Sequence, residues 1–92
     1  MRLDLFLKAS RISPRRTVAQ QLCDAGLVSV NGVRAKPAQE VKPNDEVVVR
    51  RRDKVSSYRV VSVPQRSQTS KQDARGLYEL IKEETIDVRS EA

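Results

Sequence analysis

Asn31-Gly32, which lies between two short runs rich in valine, restricts the possible folds more than any other feature of this sequence. Both central residues of a type I′ turn need a positive φ, and Asn-Gly is among the dipeptides that tolerate it best. We therefore expect a tight antiparallel hairpin, with strands at residues 27–30 and 33–35.

Two helices are expected before this hairpin. The first covers residues 3–9 and has apolar residues at helical spacing, namely Leu3, Phe6 and Leu7. The second is predicted at 14–25, with Ser13 as its N-cap, Pro14 at its first position and Gly26 as its left-handed end. Its inward face is predicted to consist of Val18, Leu22 and Ala25, with Cys23 as a small buried residue.

The remaining elements are marked less sharply. Residues 46–51 and 58–63 are rich in valine and predict two further strands, separated by turns at 42–45 and 53–54. Residues 64–72 have no apolar side chain except that of Pro64 and are interpreted as a linker. Asp73 would then cap a C-terminal helix at 73–84, followed by a flexible tail at 85–92.

These elements predict an α+β fold for the chain. Two N-terminal helices would pack on a small, mainly antiparallel sheet, forming one domain at residues 1–63. A short C-terminal helix would follow the linker.

Composition excludes several classes of protein. With one cysteine and no histidine among 92 residues, the chain can form neither an internal disulfide nor a zinc site nor a histidine-based catalytic triad. No apolar run approaches the roughly 20 residues of a membrane span, and no apolar leader follows Met1. We expect a cytoplasmic protein without catalytic residues, metal, cofactor or membrane partner, and a monomer when free.

The positive charge is concentrated in the first half of the chain. Residues 1–52 contain 11 basic and 5 acidic side chains, whereas residues 53–92 contain 7 of each. Such a cluster favours binding to a polyanion, although a basic surface that only promotes solubility is the alternative. Because the chain has only one Phe and two Tyr, it lacks a platform for stacking bases, so it should recognise phosphates and the shape of a structured RNA.

The candidate RNA-binding residues lie on and beside the two predicted helices. Arg15 and Arg16 fall in the first turn of the second helix, where backbone N–H groups already favour phosphate, and Arg11 lies just before it. Arg2 and Lys8 would border the groove between the helices, unless Arg2 only pairs with Asp4. We expect Asp4 to orient its basic neighbours. Either a solvated surface or a second RNA contact would account for Lys36, Lys42 and the three arginines at 50–52.

The order of these motifs resembles the S-four RNA-binding domain, which is named after small-subunit ribosomal protein four. The resemblance covers residues 1 to about 50. It is carried by the segments Arg-Leu-Asp-Leu-Phe-Leu at 2–7, Ser-Arg at 10–11, Arg-Arg-Thr-Val-Ala at 15–19 and Gly-Leu-Val-Ser-Val-Asn-Gly at 26–32, and by Lys36. Asn44 replaces the glycine that is usual in the family, but asparagine also tolerates a left-handed conformation.

The short chain and its segment Leu-Tyr-Glu-Leu-Ile-Lys-Glu-Glu at 77–84 are similar to the RqcP family, the P-site factors of bacterial ribosome-associated quality control. This resemblance implies binding to rRNA and P-site peptidyl-tRNA on obstructed large ribosomal subunits. It also implies cooperation with RqcH, a tailing factor of the NEMF family that adds C-terminal alanines. The RNA-binding residues implied by position are Arg2, Asp4 and Arg16, supported by Lys8, Arg11, Arg15 and Lys36.

Two other functions fit the same sequence. A heat-shock protein that recycles ribosomes shares the domain but has a longer basic C-terminal extension. A protein-interaction module could use the basic face to bind an acidic partner.

The charge asymmetry predicts a steep dependence of RNA binding on salt. If about four to six phosphates are contacted, their counterions are released on binding, so affinity should fall steeply as salt is raised. Filter-binding titrations against a structured RNA at several salt concentrations measure this slope. A flat profile would exclude phosphate contacts as the main source of affinity.

Overall fold

A computed structural model describes residues 1–51, 53–64 and 70–85 of the chain. Its elements are α1 (Leu3–Ala9), α2 (Arg16–Asp24), β1 (Val28–Val30), β2 (Val33–Arg34), β3 (Glu46–Arg51), β4 (Lys54–Val60), α3 (Lys71–Arg75) and β5 (Tyr78–Thr85). The strands form one sheet in the order β2-β1-β3-β4-β5, and every neighbouring pair is antiparallel. The predicted α+β class is confirmed. In the described part of the chain, every helix falls short of the length and apolarity that a membrane crossing needs.

The core lies between the helix pair and one face of the sheet. The apolar stripe of α1 is fully buried, as its spacing predicts. Alternate residues of the strands face it, because successive side chains of a strand point to opposite sides. The buried strand residues are Val28, Val30, Val47, Val49 and Val60.

The predicted turns are confirmed by their backbone angles. Asn31 and Gly32 both have positive φ, 53° and 84°, as a type I′ turn requires. Asn44 has a φ of 77°, so asparagine does supply the left-handed residue of the turn before β3. Gly26 also lies in this region, with a φ of 78°, directly after α2.

The predicted start of α2 is wrong, and its predicted inward face is right for Leu22, which packs against the core, but wrong for Ala25. The helix begins at Arg16 rather than at residue 14, because the Ser13 N–H bonds the Leu7 carbonyl and Ser13 is buried in a bend before the helix. The Ser13 hydroxyl donates to the Arg15 carbonyl instead of capping a backbone N–H. The buried residues of α2 are Ala19 and Cys23, whereas Ala25 is exposed and Val18 and Leu22 are half-buried.

The predicted C-terminal helix at 73–84 is also wrong. A helix covers only Lys71–Arg75, with Ser70 rather than Asp73 as its N-cap, and residues 78–85 form a strand. The spacing of Leu77, Tyr78 and Ile81 also suits a helix, but the open edge of β4 offers this segment a full ladder of backbone hydrogen bonds. Leu77 is buried in the common core, so this segment packs on the sheet of the predicted domain 1–63.

The predicted strand at 58–63 instead spans Lys54–Val60, because it continues the antiparallel ladder with β3 back to Lys54. Most of the predicted linker, at 65–69, and most of the predicted tail, at 86–92, lie outside the described residues.

Leu77, which directly precedes β5, is buried, and this burial predicts how much the residue contributes to the stability of the fold. Leu77→Ala should lower the free energy of unfolding by about 2–3 kcal/mol, because it removes a buried side chain from a packed core. Leu80→Ala is the matched control, since Leu80 lies on the same segment but is 49% exposed. Urea denaturation followed by circular dichroism measures both. Equal stability of the two variants would contradict the packing of this segment.

Candidate RNA-binding surface

The start of α1 is held by the loop at residues 35–42. The Leu3 N–H donates to the Gln39 carbonyl at 2.7 Å, and the Asp4 N–H donates to the Pro37 carbonyl at 3.1 Å. Arg2 also forms an isolated antiparallel bridge with Glu40. Backbone N–H groups that a helix start normally leaves without an intrahelical partner are thus satisfied inside the fold.

Asp4 forms the centre of the site. Its side chain is fully buried, and both carboxylate oxygens accept hydrogen bonds. Oδ1 accepts from the backbone N–H of Leu5 at 2.8 Å and pairs with Arg2 Nε at 3.2 Å. Oδ2 accepts from Arg16 Nε at 3.1 Å and from Gln20 Nε2 at 2.9 Å. One carboxylate therefore joins α1 to α2.

The two arginines remain accessible although their partner is not. The side chain of Arg2 is 45% exposed and that of Arg16 is 43% exposed. Asp4 pairs with the Nε of each arginine, and Arg2 Nη2 also donates to Oδ2 at 3.3 Å, so the pair forms an ordered and partly exposed basic surface. We call Arg2, Asp4, Arg16 and Gln20 the Asp4 cluster.

The cluster keeps Asp4 ionised. Burial by itself raises the pKa of this carboxyl. The hydrogen bonds from Gln20, Arg16 and the Leu5 N–H, together with the positive charge of Arg16, outweigh burial and hold the pKa of Asp4 below its usual value. The negative charge that orients the arginines is therefore present at neutral pH.

A second group of basic residues lies at the turn between the helices. Arg15 is the N-cap of α2, with an extended backbone and no side-chain cap, so the first turn of α2 and the Arg15 side chain lie together at the surface. Arg11 is exposed and has a φ of 61°. The guanidinium of Arg51 donates to the Ile12 carbonyl, which brings the end of β3 to the same turn.

The structure thus places the predicted site residues in several separate locations. Arg2, Asp4 and Arg16 are in direct contact, Arg11 and Arg15 lie at the helix turn, and Lys36 is exposed beside Pro37. Lys8 is half-buried in the last turn of α1 and is not among the described contacts of Asp4.

Sequence reasoning missed Gln20, although its spacing of four residues from Arg16 places both on one face of α2. It also missed the structural role of Arg51, for which it considered only a solvated surface or a second RNA contact.

Cys23 is unsuited to nucleophilic chemistry. Its side chain is buried on α2, as the sequence predicts. Burial raises the pKa of the Cys23 thiol to about 11, and the negative charges of Asp4 and Asp24 add to this effect. The thiol is therefore protonated at neutral pH.

Comparison with known proteins identifies the family. The S4 domain matches residues 1–47. The chain is 42% identical over 87 residues to a protein of Streptococcus pneumoniae named RQC P-site tRNA stabilizing factor, covering 95% of this chain and 97% of that protein. The protein of the same name from Bacillus subtilis is 42% identical over 86 residues, covering 94% and 98%.

This chain belongs to the family of RQC P-site tRNA stabilizing factors, and its N-terminal half is an S4 domain. Its fold also matches the trimeric structure of Vibrio cholerae heat shock protein 15, with a TM-score of 0.80 and 26% identity. That match covers 87% of this chain and 80% of the other. The resemblance to the S-four domain and to the RqcP family is confirmed.

The Asp4 cluster predicts a pH-dependent contribution to stability. Because the pKa of Asp4 is lowered in the folded state, its contribution is complete above the usual value of 3.8 and is lost as pH falls through the lowered pKa. Asp4→Asn should therefore lower the free energy of unfolding by about 2 kcal/mol near neutral pH. This deficit should shrink in strong acid, where the wild type is protonated as well.

Urea denaturation of both proteins at neutral pH and at about pH 2.5 measures the difference. Asp24→Asn, a change of the same kind at an exposed position outside the cluster, is the control. A deficit that is equal at both pH values would show that Asp4 does not stabilise the fold through its charge.

Proposed function

We propose that this chain is a non-enzymatic RNA-binding factor of ribosome-associated quality control, active in the cytoplasm on the ribosome. It binds rRNA and P-site peptidyl-tRNA on obstructed large ribosomal subunits and supports RqcH-dependent alanine tailing of the stalled chain. The main support is the similarity of about 95% of the chain to relatives whose name states that they stabilise P-site tRNA.

The Asp4 cluster supplies a mechanism that suits this role. A guanidinium presents a planar set of donors that matches phosphate oxygens, and each arginine of the cluster uses only part of its donors on Asp4. Since the carboxylate already holds both side chains in place, less conformational entropy is lost when RNA binds. The protein would hold a tRNA in position through these contacts and break no bond.

The start of α2 supports a further phosphate contact. Its first turn has no side-chain cap, and Arg15 lies directly beside it. A helix start of this kind favours an anion through its N–H groups and its dipole. Arg15 at the turn between the helices is next to Arg16 of the Asp4 cluster in the chain. One RNA backbone could therefore contact both places.

The similarity to heat shock protein 15 supports a second candidate, a ribosome-recycling factor with the same RNA-binding surface. We favour the first candidate because its relatives are 42% identical, whereas heat shock protein 15 is 26% identical.

The first candidate predicts which particles the protein binds. A tagged wild-type chain should sediment in a sucrose gradient with large subunits that retain tRNA. Arg16→Ala should remain at the top of the gradient, because it removes one of the two guanidiniums of the Asp4 cluster. Arg75→Ala is the matched control, since Arg75 is exposed on α3 and the same charge is removed there.

Circular dichroism of each variant separates lost binding from lost folding. Wild type that stays at the top of the gradient in low salt would contradict the ribosomal function. A partner retained after RNase treatment would indicate the protein-interaction module.

A further inference from the structure

A groove of about 570 Å³ lies between the end of α2 and the loop that follows β2. Its lining includes Asp24 from the end of α2 and Arg34, Lys36 and Pro37 from the chain at and after β2. The volume falls within the range of about 300–1,000 Å³ that is typical of small-ligand sites in proteins. The Asp4 cluster does not include any residue that lines this groove.

Arg34 is held in a fixed orientation at the groove. Its Nη2 donates to the Asp24 carbonyl at 2.8 Å, near the end of α2. Its guanidinium also packs on Gly26, where an added Cβ would come within 3.2 Å of the guanidinium carbon. Glycine at this position therefore lets the flat group approach the backbone closely, and the exposed Arg34 side chain also lines the groove.

The rest of the groove combines apolar surface with charge. Ala35 and Cys23, both buried, and Pro37 supply apolar lining, while Lys36 is exposed at the groove. Arginine planes can stack on an unpaired base, and a lysine can bind the phosphate of the same nucleotide. Asp24, which also lines the groove, repels phosphate, and its carboxylate can accept hydrogen bonds from base N–H groups.

We propose that this groove binds one unpaired nucleotide of an RNA. The base stacks on the Arg34 guanidinium over the apolar lining, and the phosphate lies beside Lys36. This arrangement compensates for the scarcity of aromatic residues, because a guanidinium plane takes the place of an aromatic ring.

The groove is connected to the surface described above. Pro37, which lines the groove, accepts the hydrogen bond of the Asp4 N–H. If Arg2 and Arg16 bind the backbone of an RNA stem, an unpaired base that projects from that stem nearby could reach the groove. The inference deepens the proposed function and rests on it, since it adds recognition of an unpaired base to the binding of RNA backbone.

Two RNA hairpins test this proposal. They share one stem, and one carries a single bulged guanosine where the other carries an abasic nucleotide. The wild-type chain should bind the bulged hairpin at least about fivefold more tightly, which is the lower end of the effect of stacking one base. Fluorescence anisotropy measures both affinities, and amide shifts of residues 34–36 and 38 in NMR spectra locate the contact.

Three variants separate the groove from the rest of the surface. Arg34→Lys keeps the charge but loses the guanidinium plane, so the preference for the bulged hairpin should fall to nearly one. Arg75→Lys, the same change on α3, should keep the preference. Arg16→Ala should weaken binding of both hairpins and leave their ratio unchanged.

The outcomes distinguish this proposal from the proposed function. Equal, tight binding of the two hairpins by wild type would overturn the nucleotide groove and leave RNA binding intact. No binding of either hairpin in low salt would overturn both. If the hairpins bind equally, and free GMP at submillimolar concentration shifts the amides of residues 34–36 and 38 where inorganic phosphate does not, the groove would be assigned to free nucleotides.

Discussion

The buried carboxylate of Asp4 is the group on which the rest of the candidate RNA-binding surface depends. It lies on α1, accepts from Arg16 and Gln20 of α2, and follows a residue bonded to the loop at 35–42. An ionised group without partners would be costly at this position, but four donors surround it. A buried ion pair of this kind often adds little net stability, so its main consequence here is a fixed geometry of Arg2 and Arg16.

The sheet packs against the helix pair that carries this geometry, and its last strand is the C-terminal β5. β5 pairs with β4 along its whole length, and Leu77 enters the same core as α1. The positive surface is therefore assembled from the first 51 residues, whereas the scaffold beneath it also needs residues 77–85. The excess of basic residues is therefore confined to the part of the sequence that forms this surface, although the core also includes Leu77 from the C-terminal part.

The sequence predicted those features that depend on local chemistry. The bounds of α1 and β3 and the left-handed residues at 26, 31, 32 and 44 follow from apolar spacing, from β-branched residues or from the tolerance of Gly and Asn for positive φ. The strand at 78–85 could not be predicted in this way, because its apolar spacing also fits a helix and only the open edge of β4 decides between them. At the site, the charge pattern indicated that Asp4 orients arginines, but the uncharged Gln20 became recognisable only from the packing of α1 on α2.

The two helix starts are used in different ways. The first N–H groups of α1 donate to carbonyl groups of the loop at 35–42, so they are not available to an external anion. The start of α2 has no side-chain cap and lies beside Arg15 at the surface. A phosphate near the start of α2 could contact main chain and side chain together, whereas one near the start of α1 would contact side chains such as that of Arg2, which Asp4 holds in place. The candidate surface therefore offers main-chain and side-chain donors at one end and side-chain donors at the other, so the two directions in which an RNA strand could cross it are not equivalent.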